Sequence, residues 1–392
     1  MSEMIETIPA SESPYAAPTI DPERQEKAKA YARIRRRLWL VGVAWSGIYA
    51  FVWLFSGWTL DLKQFLMGYT TNVWLLVPLF VFGYALPDAI LSLPLSYYRG
   101  FVLPHKYEMS TQSLKDWIVD QIKGALVGAP LGLLFLEALY WVLRAYPQNW
   151  WLLFTGFMLV FSVLLTNLAP ILIAPLFNKY IPLGEEHADL EARLLKLAEQ
   201  AHTRVRGVFK FDMSRRTRAA NAALTGIGNS HRIILGDTLI DEFSAEEVET
   251  ILAHELAHQV HKDIPVGIAI SSVATLLGFY LANLAMGWGV AIFGFESVAD
   301  VAAFPLLMII LGLYNLVTMP LENAYSRWRE RRADQYALEA TGNGIAYASA
   351  LTRLANQNLG EVEPERWVVW LLHSHPPLGE RIKMAEDFGK VD

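Results

Sequence analysis

Apolar residues in this chain are gathered into long runs instead of being scattered at the short spacings of a soluble fold. The runs cover about residues 39–60, 73–96, 125–145, 150–177, 265–294 and 301–320. Each is long enough to cross the roughly 30 Å hydrocarbon core of a bilayer as a helix. Six crossings return both termini to one side. Arg33, Arg35, Arg36 and Arg37 precede the first run, and Arg99, Lys106, Lys115 and Lys123 lie between the second and third. The short links near 146–149 and 295–300 contain no Lys or Arg. The positive-inside bias therefore makes the terminal side cytoplasmic.

This pattern divides the chain into a polar tail at 1–28, four spans with their loops at 29–177, and a first cytosolic part at 178–263. Two further spans at 264–320 and a second cytosolic part at 321–392 follow. The tail is rich in Glu, Pro and Ser, lacks the basic-then-apolar order of a signal peptide, and reads as disordered, with a helix beginning near Glu26 as the alternative. The two cytosolic parts lie on one face and are expected to form a single α+β domain. Within it, 186–202 has the spacing of an amphipathic helix, with Leu190, Leu194, Leu195 and Leu197 on one side. Residues 204–211 and 231–236 read as strands, joined by a stretch containing Asn221, Gly226 and Gly228. Residues 321–341 continue the sixth span as a charged helix, and further helices are expected near 344–357 and 377–387. The fold class is mainly α: a polytopic membrane protein with about six spanning helices and a small cytosolic α+β domain.

Composition narrows the chemistry. Hydrophobic residues make up 53 % of the chain, which fits a membrane protein. The net charge of −6 comes without any basic domain, so nucleic acid is not a partner. There is no cysteine, which excludes disulfides, thiolate metal ligands and a cysteine nucleophile. Trp and Tyr residues at the span ends are interfacial anchors.

The run ETILAHELAHQVHKD carries the clearest chemistry. His254 and His258 are four residues apart and share a helix face, so both imidazoles can reach one ion. Glu255 sits beside them, placed to touch water and not the metal. This is the HExxH arrangement, in which zinc acidifies a water and a glutamate takes its proton. Ser244 and Glu247 form a capping box that starts the helix. Charge flanks the helix on both sides, unlike a zinc helix buried in lipid. A catalytic zinc needs a third protein ligand and an open position. Within SRWRERRADQYA, Glu330 can supply that ligand while Asp334, one turn on, orients a ligand histidine. The competing interpretation is a solvated helix with Arg327–Glu330 and Arg331–Asp334 pairs, and the upstream HExxH favours the ligand. His261 and Ile264 occupy the positions where a metzincin has its glycine and third histidine, so that class does not fit, and His261 is expected at the surface. Asp88 and Glu137 stand inside spans, facing either a wet interior or partners within the bundle.

At this point the sequence resembles the type I CAAX prenyl proteases, membrane-embedded zinc endopeptidases of the gluzincin type. The resemblance is carried by LPLSYYRGFVLPHKYEMSTQSLKDWIVDQIKG (93–124), APLFNKYIPL (174–183), NAALTG (221–226), RIILGDTLI (232–240), HELAH, ERRAD and HSHPPLGERI (373–382). It spans about residues 30–388. The HtpX-type endopeptidases share HExxH and a similar ExxxD motif but lack the 93–124 loop. The resemblance implies one zinc ion per chain held by His254, His258 and Glu330, with Glu255 as general base. It implies supporting roles for Asp334, for Asn221 near the substrate backbone, and for His375 at the developing oxyanion. A cap on the helix near Pro376 is the plainer role for His375. It also implies spanning helices around a water-filled chamber capped by the cytosolic domain. Eukaryotic members carry one further span ahead of the equivalent of this chain's first.

The expected function is therefore a membrane zinc endopeptidase of the plasma, inner or endoplasmic reticulum membrane, in contact with lipid and acting on polypeptide from the cytosolic side. Its substrate is either C-terminally prenylated or, on the HtpX-like alternative, unfolded. A non-catalytic scaffold or channel is the contrasting class; the intact Glu255 argues against it.

Overall fold

The computed structural model describes residues 18–226, 231–388 and 390. Asp21 caps the first helix, α1 (Pro22–Phe55), accepting the backbone N–H groups of Glu23 and Arg24, with Pro22 at its first position. Residues 22–28 thus belong to a helix, which corrects the expectation of a disordered tail through 28; residues 1–17 lie outside the described residues. The short α2 (Trp58–Met67) leads to α3 (Val73–Tyr97), which continues through a π-turn at Tyr98–Val102 into α4 (Leu103–Lys106). After α5 (Leu114–Ala145), α6 (Trp150–Leu168) passes through a second π-turn, Ala169–Ile173, into α7 (Ala174–Phe177). Pro104 and Pro170 stand at these interruptions, where a missing N–H breaks the regular ladder.

The portion outside the spans begins with β1 (Tyr180–Pro182), followed by α8 (Ala188–Gln200), β2 (Val205–Phe211), β3 (Ala222–Thr225) and β4 (His231–Gly236). The strands form one sheet in the order β1-β2-β4-β3. β2 and β4 are parallel, whereas β3 runs antiparallel to β4 with Ala222 opposite Leu235. Then come α9 (Asp237–Glu242), α10 (Ala245–Val260), and the spanning helices α11 (Asp263–Phe293) and α12 (Phe304–Thr341). The chain closes with α13 (Gly344–Gln357), α14 (Arg366–Leu372) and α15 (Leu378–Phe388). The two longer strands and the helices at 188–200, 344–357 and 378–388 stand where the pattern of the sequence puts them. β1, β3, α9 and α14 are additions. Gly228, part of the expected connection, lies outside the described residues.

Six helices are long and apolar enough to cross a membrane. Their buried residues concentrate at one end: Tyr49 and Leu54 of α1, Val77 and Phe80 of α3, Tyr140 and Leu143 of α5, Trp150 and Phe154 of α6, Ala282 of α11 and Leu307 of α12. These side chains form one apolar cluster beside the 146–149 and 295–300 loops. Away from this cluster the spanning segments bury few side chains. Lys63, the one basic residue of the 56–72 link, is buried there between Asp300 (2.9 Å) and Glu296 (2.8 Å). Its charge is therefore neutralised on the side whose 146–149 and 295–300 links lack Lys and Arg; Arg144, just ahead of the first link, lies over the Trp74 ring. Asp88 is bonded within the bundle, accepting from Trp45 Nε1 at 2.7 Å, while both carboxylate oxygens of Glu137 lack a hydrogen-bond partner among the described residues.

A second apolar cluster holds the domain outside the spans. Leu194 of α8, Val208 of β2, Ile233 and Leu235 of β4, Leu252 and Leu256 of α10, and Leu351 of α13 meet there, nearly all of them inaccessible. Burying a leucine or isoleucine contributes about 1.5–3 kcal/mol. This core packs one face of α10 against the sheet and leaves its other face for chemistry.

Candidate metal centre

The capping box is formed: Ser244 N–H donates to Glu247 Oε2 at 2.8 Å, and Glu247 N–H donates to Ser244 Oγ at 3.2 Å. Glu247 is buried and also takes Arg353 Nε at 2.8 Å, so the start of α10 is tied to α13. Ala253 and Ala257 of α10, and Ala333 and Ala337 of α12, are completely buried. Small side chains at this contact let the two helices approach closely, which brings the histidines of α10 against the acidic residues of α12.

His254, His258 and Glu330 each present a ligand atom within 4.8 Å of the others. His254 Nε2 lies 3.2 Å from Glu330 Oε2, and His258 Nε2 lies 3.6 Å from Glu330 Oε1. Glu330 is buried, and its Oε2 has no aligned hydrogen-bond donor among the described residues. The other imidazole nitrogens are occupied. His254 Nδ1 is 2.8 Å from Asp334 Oδ1, and His258 Nδ1 is 2.7 Å from Asp263 Oδ2. Each carboxylate fixes its ring through Nδ1 and leaves Nε2 facing Glu330, where loss of its proton offers a lone pair to a cation. Two convergent imidazoles and an unpartnered buried carboxylate oxygen fit a divalent cation, and the N₂O set without thiolate suits zinc.

Asp334 is fully buried and heavily bonded. Arg381 of α15 donates to it through Nε (2.9 Å) and Nη2 (2.6 Å), and Tyr347 of α13 through its hydroxyl at 2.6 Å. The alternative of a solvated helix with Arg327–Glu330 and Arg331–Asp334 pairs does not match this environment. Arg327 instead donates to the carbonyls of Val369 and His373, and Arg331 meets Glu380. Asp263 follows Lys262, whose left-handed conformation (φ 54°) turns the chain from α10 back beneath His258. His261 is half-buried against Tyr336 and outside the ligand group, more enclosed than expected of a surface residue.

Burial by itself would favour a neutral His254, but Asp334 and Glu330 outweigh it and raise the pKa to about 9. A cation binding here therefore displaces a proton. Burial raises the pKa of Glu255, only partly opposed by the neighbouring histidines, which suits a group that must accept a proton and return it. Burial lowers the pKa of His375 despite Glu330 nearby, so its ring is neutral at pH 7.

A cleft of about 300 Å³ opens beside these groups, lined by Asn221, Ala222, His254, Glu255, His375 and Arg381 among others. His375 stands at its rim, with Nε2 3.4 Å from Glu330 Oε2 and Nδ1 2.9 Å from Ser374 Oγ. His375 itself lines the cleft, and neither contact reaches the start of α15. Of the seven residues singled out from the sequence, Asn221, His254, Glu255 and His375 line the cleft, and His258, Glu330 and Asp334 lie behind them, joined through the close contacts of the two histidines. Asp263, Tyr347 and Arg381 were missed; Arg381 alone carried a signal, inside the HSHPPLGERI run.

Comparison with known proteins shows the family and the fold. Residues 185–388 match the model of peptidase family M48, and residues 7–179 match that of the CAAX prenyl protease N-terminal region, described as five membrane helices. The matched N-terminal residues here carry four helices long enough to span, with the short α2 between the first two. A Bacillus subtilis protein termed uncharacterized metalloprotease YhfN is 32 % identical over 93 % of this chain and 86 % of its own length. CAAX prenyl protease 1 of Saccharomyces cerevisiae is 31 % identical over 75 % of this chain and 68 % of its own length. The crystal structure of S. mikatae Ste24p superposes with a TM-score of 0.80 at 25 % identity, covering 94 % of this chain and 90 % of that one.

Proposed function

The chain belongs to peptidase family M48 and is an integral membrane metallopeptidase, and from that premise we propose that it cuts polypeptides with one zinc ion held by His254, His258 and Glu330. The observation that carries this reading is the buried Glu330 oxygen without a donor, faced by two imidazoles whose far nitrogens are fixed by Asp334 and Asp263. When bound, zinc polarises the scissile carbonyl and brings a water's pKa to about 7.

The remaining steps belong to the protein's own side chains. Glu255, half-buried beside the histidines with a raised pKa, takes the proton of the attacking water on its carboxylate and returns it to the leaving amine. Asn221 is exposed toward the cleft at the head of β3, the edge strand of the sheet. An extended peptide can lie along that edge, with the Asn221 side chain bonding its backbone. His375, neutral and at the rim, donates a hydrogen bond to the oxygen that gains charge; such a donor is typically worth about 10²–10³ in rate. Asp334 and Asp263 hold the two ligand rings in place.

The active site faces the cytoplasm, as do both termini, in this reading. The arginine cluster before the first span and the links free of Lys and Arg at 146–149 and 295–300 support it. The substrate is a C-terminal CAAX-type segment, prenylated and presented to the cleft from the membrane side. The relatives named CAAX prenyl protease 1 support that choice over cleavage of unfolded membrane protein. The test is a zinc-loaded preparation in detergent, assayed against a farnesylated CAAX peptide, its unprenylated twin and an unfolded protein. Cleavage with preference for the farnesylated peptide is expected. Cleavage of the unfolded protein alone overturns the substrate assignment, and no cleavage of any of the three overturns the reading.

A further inference from the structure

The loop after α13 touches three parts of the molecule at once. Asn358 accepts the backbone N–H of Ala220 at 2.8 Å and donates through Nδ2 to the Ala220 carbonyl at 3.1 Å. This pair of bonds reproduces a strand contact immediately before Asn221. On the far side, Gly236 N–H donates to the Asn221 carbonyl at 2.9 Å. A Cβ on Gly236 would stand 3.1 Å from that oxygen, so the approach depends on glycine. The peptide carrying Asn221 is thus held from both directions, and Asn358 itself lines the cleft.

Asn358 is in turn held by the first membrane helix. The next residue, Leu359, adopts a left-handed conformation (φ 47°), which is strained for a leucine and persists only where its surroundings enforce it. Its side chain is buried against Ala28 of α1 and Met109. Gln25, buried on α1, donates to the Gly360 carbonyl at 3.0 Å and accepts Val362 N–H at 3.1 Å. One turn short of the apolar run, Arg36 pairs with Glu361 at 2.8 Å, both largely shielded. Val362 also accepts Gly379 N–H at 3.0 Å, which ties the loop to the start of α15, next to His375.

We propose that Asn358 is a positioning residue for Asn221, and that the cytosolic turns of α1 hold it in register through residues 359–362. The inference rests on the reading that Asn221 engages the substrate backbone. It makes the N-terminal helix more than an anchor: its polar end, ahead of the membrane, sets the edge along which the peptide lies.

The test is a double-substitution cycle on the full-length, zinc-loaded protein with a cleavable peptide. Asn221→Ala and Asn358→Ala are each expected to lower kcat/KM about tenfold, on the scale of one or two substrate hydrogen bonds, chiefly through KM. Zinc content should be unchanged in both. The double variant should be no worse than Asn221→Ala within about threefold, because one residue acts through the other. Losses that multiply overturn the inference, as does an Asn358→Ala whose loss tracks zinc content. Asn358→Asp provides a second variant should the alanine fail to fold; it keeps the acceptor for Ala220 N–H, loses the donor, and should show the same KM effect at reduced size. Wild-type kinetics for Asn358→Asp then overturn the inference. Wild-type kinetics for Asn358→Ala beside an impaired Asn221→Ala sink the positioning role alone, whereas wild-type kinetics for Asn221→Ala sink the substrate-binding role on which it rests.

Discussion

Replacing Asp334 by alanine separates two things that this residue does. It is inaccessible, lies 2.8 Å from His254 Nδ1, and receives two bonds from Arg381 and one from Tyr347. Losing the partner that orients a ligand histidine typically costs 10–100-fold in metal affinity, about 1.4–2.8 kcal/mol. Separately, Arg381 is left as a buried charge without its carboxylate, a defect of about 3–5 kcal/mol in folding stability. A second substitution, Arg381→Met, removes that charge while keeping comparable bulk. Stability should then largely return, but zinc affinity should not, since nothing replaces the carboxylate behind His254. Zinc affinity is read by competition against a chelator of known strength, and stability by thermal unfolding of the metal-free proteins in the same detergent. Zinc affinity within twofold of wild type in Asp334→Ala refutes the orienting role. Recovery of zinc affinity together with stability in the double variant refutes the separation of the two effects.

Three further outcomes follow from the same geometry. Asp263→Asn should weaken zinc binding about tenfold by releasing the His258 ring; an unchanged affinity in the chelator competition would show that Asp263 does not set that ring's tautomer. His375→Ala should lower kcat about 10²–10³-fold with zinc content and melting temperature unchanged; an unaltered kcat, or activity lost only in step with folding, rules the role out. Because the chain has no cysteine, a Cys placed at Ser297 should be labelled from outside whole cells and one at Glu186 should not, both positions being exposed; the reverse pattern would put the active site on the other side.

Much of this architecture is legible in the sequence because the dominant signals are long and local. The six apolar runs need only length, and the capping box before HELAH marks the start of α10 within its own residues. The continuous α12 is readable because no glycine or helix-ending proline separates the sixth run from ERRAD; Pro320 is absorbed within the helix. The start of α1 was misjudged although Asp21-Pro22-Glu23 is a good helix-start signal, because the polar composition around it argued for a tail. β3 escaped notice for a different reason. Ala-Ala-Leu-Thr has little strand preference of its own, and its pairing with β4 is what makes it a strand. Tyr347 and Asp263 support the centre through contacts that only the packed helices create. Asp263 depends on a left-handed lysine, and Tyr347 on a helix that begins well after the ligands. No local pattern marks either residue.

The central claim is that Glu255 moves the proton while His254, His258 and Glu330 hold the metal. Glu255→Gln keeps the size of the side chain and the three ligands but removes the proton acceptor. The measurement is zinc stoichiometry and peptide cleavage on one purified sample of this variant, freed of contaminating protease, beside Glu330→Ala. The account predicts one zinc per chain and no turnover for Glu255→Gln, with steeply reduced zinc for Glu330→Ala. Measurable cleavage by zinc-loaded Glu255→Gln, or full zinc occupancy in Glu330→Ala, would contradict it.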